Sequence, residues 1–318
     1  MKIKSILFLL SVSLALFSCS PKKSEQEITV AQKKPVLTSL SGKSYYEPAW
    51  SVPTKNKLDS NLAVATTNFD STASEENYIW LGRRLSYLYQ YDSAVKIFSE
   101  GISKYPKSYR LYRHRGHRYI TLRDFDNGVN DLKKASDLMK GSPIEIEPDG
   151  APNKLNIPLS NTQFNVWYHL GLAYYLKGDF AKAEQAYLEC LKVSDNDDLI
   201  TATVDWLYMT YQRENKKEEA KKLLERINDQ MTIVENDSYF NRLKMYQGKL
   251  KPEEVLVVSD NVDDADLSLA TQGYGVGNWY LYNGDPAKAK EIFEKVTDGK
   301  HFAAFGFIAA ETELSRMK

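Results

Sequence analysis

The chain has 318 residues, enough for one extended solenoid or two ordinary domains. Its 42 Lys and Arg balance 42 Asp and Glu, which argues against a nucleic-acid partner or an acidic surface. Twenty-one tyrosines in a chain that is 12% aromatic point to rings used as packing wedges between helices.

Met1 to Lys4 is short and basic, and Ile6 to Phe17 is apolar but too short to span a bilayer as a helix. It ends in Leu16-Phe17-Ser18-Cys19, which resembles a bacterial lipobox. The resemblance implies that residues 1–18 are a lipoprotein signal peptide and that Cys19 is acylated, with three chains giving a stable membrane anchor. An ordinary signal peptide with a chance cysteine is the alternative. With Cys19 lipidated, Cys190 has no disulfide partner and reads as a buried small hydrophobe. Residues 19–44 are polar and predict a flexible tether. Ser20 after the lipid cysteine implies, by the sorting rule of enteric bacteria, the outer membrane, with the body facing the periplasm.

Residues 45–74 form the next unit. Tyr45 to Pro53 predicts an extended segment packed on the first repeat. Leu58, Leu62, Ala65 and Phe69 recur at helical spacing and predict an N-terminal capping helix. From residue 75 a 34-residue echo begins. Tyr78, Leu81-Gly82, Ala94, Phe98 and Pro106 are followed by Tyr112, Arg115-Gly116, Gly128, Leu132 and Ala135. It returns as Trp167, Leu170-Gly171, Tyr174, Ala183, Tyr187 and Cys190, more loosely near Leu207 and Leu243, and clearly again as Gly277, Tyr280, Ala289, Phe293 and Val296. Phe302 to Met317 predicts a last helix, apolar at Phe305, Ile308 and Ala309 and polar at Glu311, Glu313 and Arg316, fitting a C-terminal cap.

This pattern resembles the tetratricopeptide repeat over residues 75–318. The resemblance implies an all-α, right-handed α-α superhelical solenoid of about six helix pairs with capping helices, and a concave groove lined by the first helix of each pair. One insertion of 21 residues, Gly141 to Asn161, interrupts it. Its Ile144-Glu145-Ile146-Glu147 alternation beside Pro148-Asp149-Gly150 predicts a small β-hairpin or ordered loop leaning on the solenoid, either functional or a neutral surface feature.

In that family the groove takes repeat positions 2, 5, 9 and 12. Here those positions bring Arg83, Arg110, Arg113 and His117 to one wall, a candidate clamp for carboxylate or phosphate, since the guanidinium fork suits both. Asn165, Tyr168, His169, Asp205 and Trp206 extend the candidate ligand- or partner-binding set. The competing reading pairs the arginines with acids such as Glu145 and Glu147, the insertion lying over the wall as a lid or tie.

No metal or cofactor is expected: flanking arginines oppose a cation at His114 and His117. Gly273-x-Gly275-x-Gly277 lacks the strand of a phosphate loop. Asp260, Asp263, Asp264 and Asp266 lack the pattern of a calcium loop and read as a solvated turn and helix cap. Catalysis would need scattered groups such as His117, His169 and Asp205, and the chain reads as no enzyme. The expected function is a membrane-anchored scaffold that binds a protein or peptide in its groove. The alternative is an outer-membrane receptor for a small anionic or glycan ligand, with Trp167, Tyr168, Tyr175 and Trp206 as stacking platforms.

Overall fold

The computed structural model describes residues 34–148, 153, 155–256 and 262–317, with the backbone alone at 262–266. The signal peptide, Cys19, the first part of the tether, the Asp149-Gly150 tip and the acidic side chains at 260–266 lie outside the described residues. The described chain is all-helical apart from one small antiparallel sheet, in which β1 (Leu37–Thr38) pairs with β2 (Ser44–Tyr45).

A long helix α1 (Val52–Ser71) comes next, followed by six antiparallel helix pairs. These are α2 (Glu75–Tyr87) with α3 (Tyr91–Lys104), α4 (Tyr109–Thr121) with α5 (Phe125–Leu138), and α6 (Thr162–Lys177) with α7 (Phe180–Lys192). Then come α8 (Asp197–Arg213) with α9 (Lys217–Leu224), α10 (Asp237–Tyr246) with the single turn α11 (Pro252–Val255), and α12 (Val262–Tyr282) with α13 (Pro286–Asp298). A last helix, α14 (Phe305–Arg316), ends the chain.

Local chemistry sets these boundaries. Ser74, Ser108, Asn161 and Asn196 each accept a backbone N–H at the start of α2, α4, α6 and α8, satisfying a donor that the helix leaves open. In five of the six pairs the inner turn has one left-handed residue two positions before the second helix. Tyr89, Arg123, Gly178, Asn215 and Gly284 all have φ between 57° and 89° there. Glycine takes that conformation freely, whereas Tyr89 and Arg123 each pay about 1–2 kcal/mol, offset by the packing of their side chains.

Within a pair, the sequence echo is a steric one. A Cβ at Gly82 would sit 2.3 Å from the Phe98 ring, and one at Gly171 would sit 2.7 Å from Tyr187. The helices therefore approach closely there. Cys190 is fully buried, and burial pushes its thiol up to about 12, so it is a packing residue.

Two expectations are corrected. Residues 34–44 are not tether: Leu37 and Tyr45 are buried, and Lys43 Nζ donates to the Thr297 carbonyl at 3.1 Å. Tyr45 stacks on Phe302 at 5.0 Å and meets Phe307 edge-on, near the C-terminal helix, whereas Trp50 reaches the first pair, at Tyr89. Of the polar residues of α14, Arg316 is exposed as expected but the two glutamates do not face outward. Glu311 and Glu313 are buried, because α14 packs back on the first helices of earlier pairs. No helix among the described residues is long and apolar enough to cross a membrane.

The docking of α14 on α12 tolerates no side chain at Gly306, where a Cβ would lie 2.0 Å from the Ala270 carbonyl oxygen. Gly306→Ala is expected to destabilise the fold by about 1–3 kcal/mol, as overpacking against backbone does. Urea unfolding followed by circular dichroism measures this, and an unchanged midpoint would contradict the tight docking.

Candidate functional site

The residues expected to line one open groove divide into three environments. The first is core. Trp206 is 0% exposed, between Tyr175 (5.3 Å, edge-on) and Tyr274 (5.7 Å, stacked). Asp205 forms a buried ion pair with Arg242, whose Nη1 also donates to the Thr271 carbonyl at 2.7 Å. Arg242 passes across α12 at Gly275, where a Cβ would clash with it at 2.3 Å, so the glycine run that resembles a phosphate loop is a packing feature. Asn165 bonds Ser160, Tyr168 meets the Tyr239 hydroxyl, and the His169 ring bonds the Asn165 carbonyl. Phe305 of α14 covers His117 and His169 at ring distances of 5.3 and 5.4 Å. Tyr168, Tyr175 and Trp206 are therefore unavailable as platforms for a sugar, and His169 and Asp205 are not presented to a ligand. Their helix face is apolar or paired because α10, α12 and α14 fill it.

The second environment is a separate surface ion pair. Arg110 pairs with Glu76 at 2.7 Å and does not join the others, and Tyr109 beside it is raised to about 12 by burial and by its bond to Glu145.

The third is a basic cavity of about 130 Å³ between α2 and α4, lined by Arg83, Arg113, His117, Arg118 and, from the insertion, Glu147 among others. The insertion does tie itself to the basic wall: Arg113 Nη2 meets Glu147 Oε1 at 2.9 Å, with both residues buried. Arg113 Nη1 donates to His114 Nδ1 at 2.9 Å, which requires that nitrogen to be unprotonated. Burial lowers the pKa of His114, His117 and His169, and the neighbouring Arg113 and Arg118 lower it further. Burial also brings the Arg113 guanidinium down to about 10 against the pull of Glu147.

Arg118 was absent from the sequence-derived set because it lies one position off the periodic groove face. Arg123, Arg213 and Arg242 were also absent. Each finds its carboxylate on a distant element, Glu311, Glu313 and Asp205, and no local spacing encodes such a pairing.

A chain built of capped helix pairs with a glycine under an aromatic ring is a helical-repeat protein, and its third pair carries the family signature. Residues 164–197 match the tetratricopeptide repeat family. No curated protein matches the chain. Among solved structures, a tetratricopeptide repeat protein from Parabacteroides merdae is 13% identical, covering 82% of this chain and 94% of its own at a TM-score of 0.47. YrrB, described as a TPR protein with an unusual peptide-binding site, is 15% identical over 76% of this chain and 95% of its own at a TM-score of 0.42. The C-terminal part of a TPR repeat-containing protein from Cytophaga hutchinsonii is 15% identical, covering 80% and 83% at a TM-score of 0.39.

The buried histidines make a pH prediction. Their folded pKa lies below the unfolded value of about 6.5, so the unfolded chain binds protons that the folded chain excludes. That stability is present above pH 6.5 and is lost as pH falls through it. The urea midpoint is expected to drop between pH 7.5 and 5.5, and His117→Gln is expected to flatten the slope; equal midpoints across that range would contradict buried neutral rings.

Proposed function

We propose that this chain is an interaction scaffold for a protein partner, tethered by acylated Cys19 to the outer membrane and facing the periplasm. The tetratricopeptide match supports the scaffold, and the lipobox-like Leu16-Phe17-Ser18-Cys19 supports the tether. The groove face of α6 and α8 is filled by the chain itself, which moves the partner surface elsewhere.

The observation that carries this reading is the exposed edge of the insertion. Glu147 N donates to the Ser160 carbonyl at 2.9 Å and Thr162 N to the Glu145 carbonyl at 2.8 Å, with Ile146 opposite Asn161 in an antiparallel bridge. The Glu145 carbonyl and the Glu147 N–H are spent on that pairing, and the Glu145 N–H donates to Gln163 Oε1 at 3.1 Å. Alternation along an extended chain turns the N–H and C=O of Ile146 to the opposite side. Ile144 and Ile146 are 50% and 68% exposed. The Glu147–Arg113 pair anchors the stretch from behind. A fixed extended edge flanked by bare isoleucines favours an extended segment of a partner protein, which adds backbone bonds along the edge and covers the side chains.

A photo-crosslinking residue at Ile146 of the full-length chain in its native envelope is expected to give one discrete protein adduct, and the same residue at Leu188 none. Equal labelling from both positions, or none from Ile146, would remove the insertion as the partner surface. Cys19→Ala is expected to release the chain from the membrane fraction. Retention of that variant in the membrane would contradict the lipid tether.

A further inference from the structure

We infer that the cavity between α2 and α4 is a binding site for a doubly charged tetrahedral oxyanion, the phosphoryl group of inorganic phosphate or of a phosphate monoester. This goes beyond the scaffold reading and does not depend on the edge at Ile146.

The first argument is how this fold treats its other arginines. Arg110 has Glu76, Arg115 has Asp131, Arg123 has Glu311, Arg213 has Glu313 and Arg242 has Asp205. Arg226, which is exposed, needs no partner, but among the arginines that are not exposed Arg83 and Arg118 break the rule. Both line the cavity and are partly buried, and the side chain of neither makes a hydrogen bond or ion pair with any described residue. Each is held instead by an aromatic face: Arg83 lies 4.4 Å from the Trp80 ring centroid, and Arg118 lies 5.5 Å from that of Tyr91. Stacking fixes the guanidinium plane and leaves its N–H edge uncommitted, which is how arginine is presented to a phosphoryl group.

Charge gives the second argument. Three guanidinium groups, Arg83, Arg113 and Arg118, face one carboxylate, Glu147. The nearby His114 and His117 are held neutral by burial, so the wall carries an excess of two positive charges. Arg83 and Arg118 act on Arg113, and Arg83 acts on Arg118, each disfavouring the other's charge. Like charges in a partly desolvated cavity repel strongly unless an anion joins them. A dianion balances this wall, whereas a single carboxylate leaves it half neutralised.

The third argument is unspent hydrogen-bonding capacity. Arg113 Nε is buried and has no partner. Ser86 Oγ, also on the wall, already donates to the Gly82 carbonyl at 2.7 Å, so the charged donors facing the cavity are guanidinium N–H groups. A cavity of about 130 Å³ has room for a small oxyanion. Glu147 enters this site from the insertion and occupies the Arg113 side of it, where it competes with an incoming anion.

Calorimetric titration of the purified chain at constant ionic strength tests the assignment, with inorganic phosphate, sulfate, O-phosphoserine, glycerol 3-phosphate and acetate as probes. Saturable binding of phosphate or sulfate with no binding of acetate is expected. Stronger binding of O-phosphoserine or glycerol 3-phosphate than of phosphate assigns the site to a monoester, and the reverse order assigns it to the free ion. Arg83→Gln and Arg118→Gln, which break no ion pair, are each expected to weaken binding about tenfold or more, the usual loss for a charge-assisted hydrogen bond. Glu147→Gln is expected to tighten it. Absence of saturable binding at millimolar phosphate and its esters, equal binding of acetate, or binding unchanged in both arginine variants would overturn the proposal.

Discussion

Glu311 is the point on which the arrangement depends. Its Oε2 accepts from Arg123 Nη2 at 2.7 Å and from Nε at 3.2 Å, and its Oε1 accepts from the Leu40 amide at 2.6 Å. The same guanidinium donates to the carbonyls of Thr121 and Phe302. One carboxylate on α14 thereby joins the β1–β2 hairpin, the turn of the second helix pair and the segment before α14. Burying such a pair costs several kcal/mol of desolvation per ion, so it persists only where every lone pair and N–H is matched. Here the match is nearly complete, with Arg123 8% and Glu311 5% exposed. The reward for such a pair is geometric: few other placements of α14 leave both charges satisfied.

From that placement the use of the repeat faces follows. Once α14 lies against α6, Phe305 covers His117 and His169, and Arg316 donates to the Leu176 carbonyl at the C-terminal end of α6, where a cation suits the helix dipole. Glu313 takes both Arg213 and Arg316, tying α8 to the same helix. The face that an open solenoid offers to ligands becomes interior here. The basic cavity between α2 and α4, which Phe305 touches only at His117, and the exposed isoleucines of the insertion stay accessible.

The helix pairs were legible because their cause is local. Gly82 under Phe98 and Gly171 under Tyr187 recur at a fixed spacing, and Ser or Asn caps open the first helices of four pairs. The tie between the insertion and the basic wall was legible as one of two alternatives, since Glu145 and Glu147 alternate with exposed isoleucines. The fate of the groove was not legible. Tyr168 and Asp205 sit at groove positions by periodicity with Trp206 adjacent, and the partners Tyr239, Arg242 and Tyr274, from 37 to 71 residues away, help make them core. Glu311 and Glu313 read as a polar outer face for the same reason: the arginines that bury them come from elements more than 90 residues distant. Long-range pairing of charges leaves no periodic trace.

The central claim is that α14 is part of the cooperative core and the natural occupant of the face it covers. Native-state hydrogen exchange of the full chain, resolved by peptide, addresses it directly. The account predicts that Phe305–Glu313 and Tyr168–Tyr175 are protected to a similar degree and exchange only through global unfolding, as core elements do. Fast exchange of Phe305–Glu313 by local opening, with Tyr168–Tyr175 gaining exposure in step, would contradict it and restore the open groove.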